Sequence, residues 1–124
     1  MNVKIDTKEK FTVITTQFTH LSANMTDEIS NLLLPYLQKD IPHIIFKLTS
    51  IFELDDEVAN LLLQIKEQFY ENNCSFVICD LQSNVLTKLD QLEISEILNI
   101  TPTESEAWDI VQMEEIEREL LEGE

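Results

Sequence analysis

Glycine is nearly absent from this chain: among 124 residues, Gly123 is the single one. Dinucleotide fingerprints and phosphate-cradling loops need glycine, because only a residue without Cβ lets backbone approach a ligand closely. Neither can be assembled here. Histidine is almost as scarce. His20 and His43 are too few for the usual zinc patterns and no Cys-x-x-Cys occurs, so neither a metal nor a cofactor is expected. No nucleophile-elbow motif supports a Ser–His–acid triad, and ordinary catalysis is not expected. Positive charge is also in short supply, with 8 basic residues against 24 acidic ones and a formal net charge of −16. Nucleic acid and anionic membranes both require clustered Lys or Arg, so neither is an expected partner. No window approaches the ~20 apolar residues that cross a bilayer. The start, from Met1 to Asp6, has no apolar stretch behind a positive flank, so no signal peptide is expected. Cys74 and Cys79 stand five apart in a strand-like segment and face opposite ways. Two unpaired thiols suit a reducing compartment, and the cytoplasm is the expected location.

What is present is a 44% hydrophobic chain, long enough for one domain with a real core, expected over residues 1–124. Val3, Ile5 and Thr7 alternate with polar neighbours, and Phe11 to Thr16 is rich in β-branched residues. With the polar turn Lys8-Glu9-Lys10 between them, they predict an N-terminal hairpin. Residues 18–24 read as a loop. Asn24 or Thr26 then caps a helix with Ile29, Leu32, Leu33, Tyr36 and Leu37 on its apolar face, which Pro35 kinks or ends. The run Ile44 to Leu48 predicts a buried strand. Val58, Leu61, Leu62, Ile65 and Phe69 recur at helical spacing, so a second helix is expected from Asp55 or Asp56 to Tyr70.

Phe76 to Cys79 is continuously apolar, as in a strand covered on both faces. A shorter helix follows, with Ser83 as cap and Val85, Leu86 and Leu89 facing inward. Leu98 to Thr101 reads as a last edge strand. Thr103 and Glu106 have the spacing of a capping box and open a final acidic helix at about 103–122. Its expected inward residues are Ala107, Ile110, Val111, Ile116 and Leu120. Residues 104–124 hold nine acids and one base, Arg118, a net of −8. The element order is β-β-α-β-α-β-α-β-α: a mixed α/β sheet, opened by a hairpin and continued by parallel strands, packed against helices.

The segment Lys47-Leu48-Thr49-Ser50-Ile51-Phe52-Glu53-Leu54-Asp55-Asp56-Glu57-Val58-Ala59 resembles the central motif of STAS domains, the anti-sigma factor antagonist family. That motif is a strand ending Asp-Leu-Ser, a short apolar turn, then Asp-Ser-Ser-Gly-Leu opening a helix. Leu48, Ile51, Leu54 and Asp55 agree best, and element order and length extend the likeness over nearly the whole chain. In that family the first serine after the aspartate is phosphorylated by an anti-sigma factor with kinase activity, which breaks their complex, and a phosphatase restores it. The resemblance implies a STAS-like fold and a non-enzymatic regulatory module that docks onto a kinase-like regulator.

This chain departs from the motif where the family has Ser-Ser-Gly, carrying Asp56, Glu57 and Val58 instead. Asp56, at the phosphoacceptor-equivalent position, has no hydroxyl, so the usual serine phosphorylation cannot occur there. The acids then act as helix-capping charges, or as a fixed imitation of phosphoserine's about −1.5 to −2 charges, or Thr49 or Ser50 takes over as acceptor. The expected partner surface is Thr49, Ser50, Asp55, Asp56, Glu57 and Asn60. Its partner should be a protein with a basic patch, an anti-sigma factor or kinase-like regulator, and a homodimer is admitted beside it. The alternative is a degenerate receiver domain in which Asp55 or Asp56 binds Mg²⁺ and accepts a phosphoryl group.

Overall fold

The computed structural model describes residues 1–122. Strand β1 (Val3–Thr7) folds back antiparallel on β2 (Thr12–Thr16), as the alternation predicts. Helix α1 (Thr26–Leu33) returns the chain to β4 (Ile44–Lys47), which lies parallel to β2. Between β2 and α1 sits β3 (His20–Leu21), and soon after β4 comes β5 (Glu53–Leu54). Helix α2 (Asp56–Glu71), strand β6 (Phe76–Cys79), helix α3 (Ser83–Gln91), strand β7 (Ile100–Thr101) and helix α4 (Glu104–Glu122) complete the chain. The main sheet has the order β1-β2-β4-β6-β7, parallel beyond the opening hairpin, while β3 and β5 pair parallel in a separate two-stranded sheet. No described helix is long and apolar enough to cross a membrane.

Strand alternation explains why helices cover both faces. On one face Ile14, Ile44, Phe46, Phe76 and Ile78 meet Ile29 and Leu33 of α1, Val58, Leu62, Ile65 and Phe69 of α2, and Val85 and Leu89 of α3. On the other, Val13, Ile45, Val77 and Cys79 meet Ala107 and Val111 of α4. Phe76 lies 5.4 Å from Phe69 and 6.2 Å from Phe46, ring centre to ring centre. Burying one such side chain stabilises the fold by ~1.5–3 kcal/mol. Trp108 of α4 stacks on Phe11 at 4.7 Å, tying that helix to the hairpin.

With almost no glycine, left-handed backbone falls to other residues: Asn73, Asp80, Glu93 and Asn99 have φ between 47° and 62°. Asn73 ends α2 and Glu93 ends α3 in the same way. The N–H of the next residue reaches back five positions, Cys74 to the Phe69 carbonyl at 2.8 Å and Ile94 to the Leu89 carbonyl at 3.2 Å. Asn and Asp visit this region at low cost; Glu93 has no such local compensation.

Four expectations from the sequence need correction. Residues 18–24 are not only loop, since β3 lies within them. Neither Asn24 nor Thr26 caps α1: Asn24 belongs to a 3₁₀ turn (Ala23–Met25) leading into it, and Thr26 is already helical. The expected effect of Pro35 is seen and is no correction: the regular α-helix ends at Leu33 and gives way to a 3₁₀ helix through Gln38, with Pro35 in its first turn, where a missing N–H is harmless. Gln82, not Ser83, precedes α3, and Leu86 is exposed. Ile116 and Leu120 of α4 are also exposed, 56% and 69%.

Candidate partner-binding site at the start of α2

The six residues singled out from the sequence all fall on the loop after β4 and the first turns of α2, and α3 supports both stretches. Gln82 Nε2 donates to the Thr49 carbonyl at 2.8 Å, and Asn84 Nδ2 donates to the Phe52 carbonyl. Thr49 Oγ1 donates to Asp80 Oδ2 at 3.2 Å. From the opposite side the Thr19 carbonyl accepts the Phe52 N–H at 2.8 Å. Backbone held from two directions presents its side chains at little further ordering cost. Thr49, Asp56, Glu57 and Asn60 are exposed, while Ser50 and Asp55 are half-buried.

The three adjacent acids have three different fates. Asp55 turns inward: Oδ1 accepts a hydrogen bond from His20 Nε2 at 2.8 Å, and Oδ2 accepts the Ala23 N–H at 2.8 Å. It therefore caps the 3₁₀ turn before α1 rather than its own helix. The His20 bond, then the Ala23 N–H, hold its carboxyl below the usual range. Asp56, 58% exposed at its side chain, pairs with Lys88 Nζ of α3 at 2.8 Å. Glu57 is exposed and has no ion-pair partner among the described residues. Asp56 and Glu57, in the first turn of α2, also sit at the positive end of the helix dipole, where acids are favoured.

Sequence reasoning missed His20, Glu53, Lys88 and Phe52. His20 Nε2 also lies 2.9 Å from Glu53 Oε2, and the Asp55 hydrogen bond raises its pKa. The pairing of β3 with β5 brings these groups together, and no local pattern announces two strands of two residues. The ligand atoms of His20, Glu53 and Asp55 lie within 4.8 Å of one another, so a cation could be held there. A protonated imidazole between two carboxylates satisfies the same charges. Phe52 is 58% exposed, an aromatic ring on the rim of an otherwise polar surface.

The STAS domain family model matches residues 2–107. The chain belongs to the STAS family. Three solved structures extend the likeness. A putative anti-sigma factor antagonist from Thermotoga maritima superposes with TM-score 0.79 at 15% identity, covering 89% of this chain and 94% of that one. An anti-sigma factor antagonist from Mycobacterium paratuberculosis gives 0.76 at 10%, covering 90% and 93%. The anti-sigma factor antagonist SpoIIAA in its unphosphorylated form gives 0.71 at 16%, covering 90% and 96%. At these identities the likeness is one of fold. No curated protein matches the sequence. The STAS assignment replaces the receiver alternative: this sheet opens on an antiparallel hairpin, and both Asp55 oxygens are engaged within the protein.

Proposed function

We propose that this STAS domain is a cytoplasmic regulatory module that works by docking onto a protein and not by turnover, through the loop after β4 and the first turns of α2. Thr49, Ser50, Phe52, Asp56, Glu57 and Asn60 form the contact, with Asp55 as the residue that positions it. The observation that carries this reading is an exposed aromatic ring beside exposed acids, on backbone pinned from both sides. An aromatic ring that becomes buried only on docking, inside a polar rim, is a common composition of interface hot spots.

The partner is an anti-sigma factor or kinase-like regulator presenting a basic patch, the class of protein that the relatives named as anti-sigma factor antagonists oppose. Asp56 occupies the phosphoacceptor-equivalent position and carries permanent charge. Lys88 offsets that charge at 2.8 Å, so the pair Asp56 and Glu57 falls short of the about −1.5 to −2 of a phosphoserine. Docking is therefore constitutive, not gated by a phosphate at this residue.

Affinity capture from native cytoplasm tests the proposal, with the natural protein, Phe52→Ala and Asp56→Ser as baits. The natural protein should retain a kinase-like regulator that Phe52→Ala loses. The purified regulator should bind more weakly as salt rises, because exposed charges are screened beyond ~8–10 Å. Equal retention by Phe52→Ala, or an affinity indifferent to salt, refutes the proposed surface. With ATP, the regulator should label Asp56→Ser and leave position 56 of the natural protein unlabelled.

A further inference from the structure

Helix α4 is inverted along its second half. In its first half the residues facing the sheet are apolar, Ala107 and Val111 packed on Val13, Ile45 and Val77. Beyond Val111 the inward positions become polar. Arg118 Nη2 donates to Ser75 Oγ at 2.8 Å, and Asn99 Nδ2 donates to Glu114 Oε2 at 3.1 Å. His43 Nδ1 accepts the Ser75 N–H at 3.0 Å, so the ring proton sits on Nε2 and is donated to Glu115 Oε1 at 3.1 Å. Three polar attachments on separate residues of α4 fix the rotation of the helix about its axis.

Successive residues turn by about 100°, so this rotation sends Met113, Ile116 and Leu120 to the side opposite the sheet. They are 55%, 56% and 69% exposed. A merely solvated helix arranges itself the other way, with apolar residues inward and charge outward. Here an apolar stripe at i, i+3 and i+7 points to solvent while Glu114, Glu115 and Arg118 face the protein. The stripe also lies outside the matched residues 2–107, so the shared STAS core does not account for it.

We propose that the outward stripe of α4 is a second docking surface, and that its occupant is a protein with an apolar groove bordered by Lys or Arg. Charge decides the occupant. Asp109, Glu117 and Glu119 are exposed beside the stripe, and residues 104–124 carry nine acids to one base. Two copies laid stripe to stripe would bring these carboxylates together. Helices that lie in membrane interfaces carry Lys and Arg on the polar face, the opposite of this one. A basic-rimmed groove meets both the stripe and its border, the helix-in-groove mode with anchors at i, i+3 and i+7. The surface is on the face of the sheet away from α1, α2 and α3. Its failure and that of the α2 surface are therefore separately visible.

The test uses the full chain and a fluorescent helical peptide of about 20 residues, built of leucine and lysine with the leucines on one face. Binding is followed by anisotropy, against a peptide of the same composition with the leucines scrambled. The amphipathic peptide should bind, and the double substitution Ile116→Asn with Leu120→Asn should weaken it about tenfold or more. Both side chains are exposed, so the variant should melt with the natural protein, and its net charge is unchanged. Phe52→Ala should bind the peptide normally. Absence of binding, equal binding by the double variant, or equal binding of the scrambled peptide overturns the proposal. So does a dimer in sedimentation, or adsorption to phosphatidylcholine vesicles, that the double substitution abolishes.

Discussion

His43 is the residue by which the anchoring of α4 can be weighed. The residue is 8% exposed, and its ring joins the Ser75 N–H to Glu115, linking the start of β4 to the last helix. Replacing it with leucine keeps much of the volume and removes the acceptor. The Ser75 N–H is then buried without its partner, a loss of ~1–3 kcal/mol, and Glu115 loses its donor. Urea unfolding at pH 7.5 should show His43→Leu destabilised by that amount. The pH dependence sharpens the test. Burial holds the His43 pKa below its usual 6.5, so the unfolded chain binds more protons than the folded one in the interval beneath 6.5. Its contribution is therefore complete above pH 6.5 and lost as pH falls from 6.5 toward the lowered folded value.

The natural protein should lose stability through that interval, while His43→Leu lacks this part of the slope and the gap between them narrows. The charges that act most on His43 are Glu115, Arg118 and Glu114 of α4, with Glu9, Lys10 and Asp40 lining the same depression, and the attraction of Glu115 only partly offsets burial. His20, whose pKa is raised, acts in the other direction: its contribution is full below 6.5 and lost as pH rises through the raised value. The two signals therefore occupy different pH ranges. Equal stability of His43→Leu at pH 7.5, or parallel curves for the two proteins down to pH 5, would refute the role given to this ring.

Two more outcomes follow from the geometry. Asp55→Ala should lower the midpoint of urea unfolding, because it leaves the Ala23 N–H uncapped and frees His20, and it should speed hydrogen exchange at Leu21 and Ala23; an unchanged midpoint with unchanged exchange would contradict the cap. The Cys79 thiol, pushed up to about 12 chiefly by burial, should resist iodoacetamide at pH 8 in the folded protein and react once urea unfolds it; equal rates in both states would contradict the burial.

Much of the fold was legible because it rests on local periodicity. Val58, Leu62, Ile65 and Phe69 mark one helical face by spacing alone, and all are buried. The apolar run of β6 reads as a doubly covered strand and that of β4 as a buried one, and both are buried. Thr103 was legible as a cap: its Oγ1 accepts the Glu106 N–H at 3.2 Å. The site was legible as a place but not as a mechanism. Asp55, Asp56 and Glu57 look alike in sequence. What separates them is His20, 35 positions before Asp55, and Lys88, 32 positions after Asp56.

The sequence by itself determined the order of the elements, the lack of any glycine-built phosphate loop and the acidic field, because each depends on neighbouring residues or on plain counts. Only the tertiary structure decided which way α4 faces. At about 100° per residue, Ala107 and Val111 fall on one side of α4 and Met113, Ile116 and Leu120 on the other, and spacing alone does not say which set meets the sheet. A helix has one rotation about its axis, however, and bonds to His43, Ser75 and Asn99 chose it. Those partners are distant in the chain, so local periodicity could separate the two sets but not choose which of them would end up in water.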